Sequence, residues 1–501
     1  MTQKAEASET RMLSSEAVRT AIDKAEEDFQ KCWETLALMK HGPIPPDFGE
    51  HFLAFQPTLA TALFRLDEAY RRLRKGEKAT IANKSQLGSD VVASQMRESD
   101  ELRTSLKSAM EVGRAIGDAF AWFFYRKSQN RSGQHRRHAP IPHTPPGVGG
   151  LAELEFLKHI RYADCVVIYH GITSFLRIGD ISFLDLRSGE VTGLGELKAR
   201  KVGPGQAEVT LHMMGTDPKR VPFSRIPAAT GASEVHSEDA QKDFAKRLER
   251  QITEMQEFLA LAEENSPPNV PEGFTKRNSF HEGFEISSFQ SLSDSLAAAD
   301  VAYEQVGSGL LLIGLNVLPE ASLFDRLFGA KKIDFNARLE TVVERSVKLV
   351  NFGSHDNSIR MGEISTGFLP GCAPPFWLPV DLHFLRKLYF QGAIVQTIYN
   401  PAHLLERFRN AGFTVIQSED GSSYQVKKAV QADRQIVLEN SSWFLAAIQH
   451  HLMKEETVVE CVLAIMKKIE HGDLPPNTKV QLVVATHLFP EREKPPTGDH
   501  E

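Results

Sequence analysis

The sequence has little cysteine, no long apolar run and no surplus of positive charge, and each absence narrows what the chain can be. Its four cysteines (Cys32, Cys165, Cys372 and Cys461) lie far apart and match no zinc-ligand spacing. They read as reduced thiols rather than as a disulfide framework. No stretch is apolar over the length a bilayer needs, which predicts no transmembrane helix. The opening MTQKAEASETR lacks the apolar centre of a secretory signal, so the expectation is a cytoplasmic protein with no membrane partner. A formal net charge of -7 excludes a dedicated basic coat for nucleic acid, so any such affinity must come from local charge. No internal repeat is visible. No Walker A loop ending in Gly-Lys-Ser/Thr is present, so ATP-driven translocation would need a partner.

What is present is ordinary for a soluble globular protein, with 41% hydrophobic and 25% charged residues in 501. That length suggests roughly two to four domains. Ser15 to Lys40, Phe52 to Lys75 and Ser94 to Tyr125 carry apolar residues at helical spacing, which predicts a helical N-terminal domain over residues 1–137. From Tyr125 to His143 the chain holds Arg126, Lys127, Arg131, Arg136 and Arg137 and no acid. This run attracts a phosphate backbone or is a solvated linker. The histidines around it (His135, His138 and His143) have no cysteine or acid beside them and read as surface residues.

A Pro/Gly-rich connector then gives way to a different pattern. Leu151 to Arg161 predicts a helix. Cys165 to His170, Ile178 to Leu186 and Val191 to Lys198 predict three strands, and Ala207 to Met214 a fourth. A helix is expected from about Ser237 to Glu264, and a strand from Val306 to Val317. Beyond it, residues 321–489 read as a C-terminal α+β region: a helix over Ser322 to Val350, then strand, helix and hairpin over 393–428, a helix over Ser442 to Glu470 and a strand over Lys479 to Ala485. The tail 490–501 reads as disordered.

Hydrolysis of a phosphodiester needs charge neutralisation, an activated water and a stabilised leaving oxygen. Carboxylates holding Mg²⁺ (or Mn²⁺) beside a lysine can supply them. Asp180 stands in Arg-Ile-Gly-Asp-Ile-Ser-Phe, and Glu196 and Lys198 in Gly-Leu-Gly-Glu-Leu-Lys. Residues two apart on a strand share a face, so Glu196 and Lys198 project together. Acids are depleted in strands, which favours a site over chance. Asp217-Pro218-Lys219 has the same spacing, but its proline argues against a central strand.

These residues resemble the PD-(D/E)XK nuclease superfamily, with Asp180 as the first acid and Glu196-Leu197-Lys198 as the second half of the motif. Ile178-Gly179 replaces the literal proline. The resemblance covers residues 151–317 and implies a restriction endonuclease-like αβββαβ core within 138–320, hence an α+β fold. It implies a metal-dependent nuclease, DNA by default, with Asp180, Glu196 and the Leu197 carbonyl as metal ligands and Lys198 positioning the water. A further glutamate from the first helix is implied, either Glu153 or Glu155. Glu153 falls among the apolar residues Leu154, Phe156, Leu157 and Ile160, while Glu155 falls opposite, so Glu153 is preferred. Gln251, within the apolar stripe of the later helix, matches a glutamine that RecB-like members turn toward the site. Arg131, Arg136 and Arg137 are the expected nucleic-acid contacts. The alternative is a nuclease-fold module that binds nucleic acid or a protein without cleaving. A protein partner, or a second copy of the chain, is expected through the N- or C-terminal region.

Overall fold

The computed structural model describes residues 13–41, 47–125, 135, 147–160, 165–185, 188, 190–203, 206–215, 274–280, 286–317, 321–329, 341–342, 344, 359–364, 366, 374–417, 424–431, 434–438, 442–470 and 479–484. They form an α+β protein in two compact units. One contains the described residues up to 215 together with 321–329, and the other contains the remainder. Among the described residues no helix is long and apolar enough to cross a membrane.

The first unit opens with three long helices: α1 (Ser15–His41), α2 (Phe48–Ala82) and α3 (Ser89–Tyr125). Along α1 the buried apolar residues are Val18, Ile22, Ala25, Phe29, Cys32, Trp33 and Leu36. Steps of three and four keep them on one stripe, which packs on α2 and α3. The Ser14 hydroxyl accepts from the Ala17 amide at 3.3 Å and caps the helix start. Glu77 of α2, buried between helices, is neutralised by Arg74 at 2.8 Å and Arg103 at 3.4 Å and accepts from Ser99 at 2.8 Å. Residues 321–329 join this unit through Arg326 and the Leu323 amide, which reach Glu26 at 2.6 and 2.7 Å.

Helix α4 (Val148–His159) leads into a four-stranded antiparallel sheet: β1 (Cys165–Tyr169), β2 (Ile181–Asp185), β3 (Val191–Gly203) and β4 (Gln206–Gly215), in that spatial order. Helix α4 packs on β3, β4 and α2. β1 is an edge strand, and Gln56 of α2 occupies its outer side. The Gln56 amide donates to the Val167 carbonyl at 2.6 Å and accepts from the Tyr169 amide at 2.7 Å. A side chain there does the work of a missing neighbouring strand. Between β1 and the bundle the contact is close. A Cβ on Gly117 of α3 would lie 1.9 Å from the Ile172 carbonyl oxygen, so only glycine fits.

In the second unit β6 (Val301–Val306), β7 (Leu310–Asn316), β9 (Ala393–Tyr399) and β8 (Arg360–Glu363) form an antiparallel sheet in the order β6-β7-β9-β8. Helix α5 (Ile286–Ala298) packs on β6 and β7, and α6 (Leu382–Tyr389) on β9. Leu311, Ile313, Leu315 and Ile398 form a cluster in its core. Helix α7 (Ala402–Asn410) follows, then an antiparallel group of β10 (Thr414–Gln417), β11 (Tyr424–Gln431) and β12 (Arg434–Leu438). β5 (Phe274–Phe280) pairs in parallel with β13 (Lys479–Val484). Helices α8 (Ser442–His451) and α9 (Glu455–Glu470) are separate, broken where Leu452 takes φ 51°.

Two expectations are corrected, the last strand of the motif's core and the helix over Ser442 to Glu470. The strand near Val306–Val317 does not complete the sheet of the motif; as β7 it hydrogen-bonds β6 and β9. The N-terminal helices and the motif's sheet fall in one compact unit, and residues 274–317 in the other. The single helix expected over Ser442 to Glu470 is two. The helix expected at 237–264 and the tail from 490 lie outside the described residues.

Candidate functional site

Strand alternation points Glu196 and Lys198 to one face of β3. Lys198 Nζ donates to Glu196 Oε1 at 2.5 Å. Glu196 is 3% exposed, and its other oxygen, Oε2, is buried with no hydrogen-bond partner. A buried carboxylate oxygen left bare is costly unless a cation or donor meets it.

Asp180 occupies the bend ahead of β2, where Gly179 takes φ 69°, a conformation glycine adopts without strain. The Asp180 amide donates to the Gly195 carbonyl at 2.8 Å, and its carbonyl accepts from the His170 amide at 2.8 Å. Its side-chain Oδ2 accepts from the Leu197 amide at 2.7 Å. One carboxylate therefore ties the two halves of the motif together. In a regular antiparallel strand a residue's N–H and C=O leave on the same side, so the Leu197 carbonyl is also directed toward Asp180.

Helix α4 supplies the third acid. Glu153 is buried and accepts from the Tyr169 hydroxyl at 2.9 Å. Glu155 is exposed and pairs with Lys158 at 2.8 Å. Two of the three acids are held well away from the ordinary carboxylate range. Burial pushes Glu153 up to about 7, against the Tyr169 hydrogen bond and with help from Glu196. Burial, then the charges of Glu196 and Glu153, holds Asp180 well above the ordinary carboxylate range. Glu153 and Asp180 therefore hold their protons to higher pH than free carboxyls do.

The sequence does not single out the layer behind them. His170 follows β1 directly and is fully buried; burial brings its pKa down to about 4. Its Nδ1 faces the Gly179 carbonyl at 2.8 Å and its Nε2 faces Ser182 Oγ at 2.5 Å. Ser182 also bonds the Tyr125 hydroxyl of α3 at 2.5 Å. His135 is 0% exposed, against the expectation of a surface residue. Its Nδ1 accepts from the amides of Arg177 and Ile178, each at 3.0 Å. His212 of β4 is the register partner of Glu196 and so projects on the same face. The ladder shifts by one residue between Lys201 and Gly203, so counting back from the Gly203–Gln206 pair would place Met213, not His212, opposite Glu196; the sequence alone does not give His212.

The residues fit a divalent cation in one respect: Glu196 Oε2 is an unpaired acceptor beside two further acids. Among the described residues, however, no three His, Cys, Asp or Glu side chains converge as a ready-made metal centre. In this arrangement Lys198, the Leu197 amide and the Tyr169 hydroxyl each hold one carboxylate oxygen. Arg131, Arg136, Arg137 and Gln251 lie outside the described residues. Comparison with protein-family models, curated proteins and solved structures finds no match to the chain.

Proposed function

We propose that the first unit is a metal-dependent phosphodiesterase acting on nucleic acid, DNA by default, built around a PD-(D/E)XK-like site. The observation that carries the reading is that Asp180 is tied to the backbone between Glu196 and Lys198, Lys198 bonds one Glu196 oxygen, and the other Glu196 oxygen is buried without a hydrogen-bond partner. Helix α4 followed by antiparallel strands supports it: the first three match the opening of an αβββαβ order, and β4 is an addition to it. Asp180, Glu196, Glu153 and the Leu197 carbonyl would hold Mg²⁺ or Mn²⁺. When bound, the ion neutralises phosphate charge and makes a water nucleophilic near neutral pH.

The chain's own residues supply the rest. Lys198 carries three donors, so it can hold Glu196 and orient a water or a phosphate oxygen at once. The Leu197 amide and the Tyr169 hydroxyl fix the rotamers of Asp180 and Glu153. His212 adds a ring nitrogen on the Glu196 face. A second reading, a module that binds without cleaving, is favoured by the absence of a converged metal centre among the described residues. Purified protein with Mg²⁺ or Mn²⁺, on single- and double-stranded DNA and RNA, separates the two. Cleavage that Asp180→Asn and Glu196→Gln abolish supports the enzyme. Binding without cleavage by the wild type supports the module.

A further inference from the structure

The turn Arg177–Asp180 delivers an acid to the site, yet it belongs to no strand. A glycine at φ 69° allows the turn but does not stiffen it. Its rigidity has to come from outside, and two buried histidines grip successive peptide groups. His135 Nδ1 accepts from the Arg177 and Ile178 amides. His170 Nδ1 donates to the Gly179 carbonyl, and the His170 amide donates to the Asp180 carbonyl. The bonding fixes opposite tautomers. His135 accepts at Nδ1, so its proton sits on Nε2. His170 donates from Nδ1, so its Nε2 accepts from the Ser182 hydroxyl, which in turn accepts from Tyr125. The two rings meet edge to face, with centroids 5.3 Å apart. The relay ends on α3, so the helical bundle sets the ring that sets the turn.

We propose that His135 and His170, the latter oriented by Ser182 and Tyr125, form a clamp that positions Asp180 for metal binding. They are positioning residues: neither bonds the Asp180 carboxylate, and both act through the backbone that carries it. Partners of this kind behind a metal ligand are typically worth about 10- to 100-fold in metal affinity. Neutral His170, buried among these partners, matches the role, because a charged ring would lose its acceptor for Ser182.

The metal arm of the test rests on the reading of the site given above; a second arm does not. Mn²⁺ alone, followed by the electron paramagnetic resonance of the free ion, is titrated into the full chain carrying His170→Ala, His170→Asn, His135→Ala or Ser182→Ala. Ile22→Ala, a cavity in α1, is the control for general loosening. His170→Ala should weaken Mn²⁺ binding by about 10- to 100-fold. His170→Asn, whose side-chain N–H stands near the position of Nδ1–H, should recover much of that loss, and Ile22→Ala should change little. In metal-free protein, hydrogen exchange at the Asp180 and Leu197 amides should accelerate in the clamp variants and not in Ile22→Ala. Unchanged Mn²⁺ affinity together with unchanged exchange overturns the clamp, as does an equal effect from Ile22→Ala. If the wild type binds no Mn²⁺, the metal reading falls, and exchange alone decides: acceleration supports the clamp and its absence overturns it. Should His170→Ala not fold, His170→Asn and Ser182→Ala carry both arms.

Discussion

Replacing Glu153 by glutamine keeps an oxygen for the Tyr169 hydroxyl and removes a buried charge. Burial raises the Glu153 carboxyl from 4.5 to about 7. A carboxylate whose folded pKa lies above its unfolded value binds its proton more tightly in the fold. Its contribution is therefore intact below the unfolded pKa, is lost as pH rises through the folded one, and levels off above it. Each pKa unit corresponds to about 1.4 kcal/mol, so the span for Glu153 is roughly 3 kcal/mol. Glutamine has no such titration. The stability difference between Glu153→Gln and wild type should thus move in favour of the variant by up to roughly 3 kcal/mol between about pH 5 and about pH 8. The difference between the two proteins is the quantity to read; it also carries the part of the Asp180 shift that the Glu153 charge causes, which has the same sign. Hydrogen exchange of the β2 and β3 amides, corrected for intrinsic rates, gives local opening free energies for this purpose. Saturating Mn²⁺ at the higher pH should narrow the gap, because the cation replaces the missing protons in the wild type. A difference that stays constant with pH would refute a buried, ionisable Glu153 beside Asp180 and Glu196.

Asp180→Asn should keep the Leu197 hydrogen bond and abolish Mg²⁺-dependent cleavage, which a plasmid-nicking assay with host-nuclease-free protein checks. Lys198→Ala should lose most cleavage yet bind Mn²⁺ at least as well, since it removes a cation bonded to Glu196; calorimetry showing lost binding would contradict that division of roles. Gln56→Ala strips the Val167 carbonyl and the Tyr169 amide of their partner and should cost about 1–3 kcal/mol in thermal unfolding. Arg131, Arg136 and Arg137 changed together to glutamine should weaken nucleic-acid binding and flatten its salt dependence, with the single-turnover rate at saturation unchanged.

The helices were legible because their apolar residues recur every three or four positions; the buried stripe of α1, from Val18 to Leu36, is that pattern. Helix α2 runs past the expected Phe52 to Lys75 at both ends, and Pro57 lies within it rather than ending it. Strands β1 to β4 were visible from their alternation and turn residues. Which sheet a strand joins was not. The Leu-rich run at 310–316 is apolar enough for either sheet, and its partner is decided by β9, some eighty residues later. Strand β6 and helix α5 went unread beside it. At the site, Asp180, Glu196 and Lys198 stood out because charges in strands call for an explanation, and the preference for Glu153 over Glu155 followed from helix periodicity. The clamp was hidden, since a histidine that bonds only backbone has no spacing rule. Nothing in the sequence around His135 marks it out until the turn it holds is in view.

Gln56 and the carbonyl it caps are 111 residues apart in sequence, with the cap first. Synthesis delivers the chain from the N-terminus, so the helices carrying Gln56 leave the ribosome well before β1 does. The edge strand therefore meets its cover as it forms, and the interval in which a bare sheet edge could recruit a neighbouring nascent chain is short. A circular permutant that places α1 to α3 after β4 reverses that order. It keeps every contact of the finished fold but leaves β1 open throughout synthesis, and its yield of soluble protein should suffer even where its final stability does not.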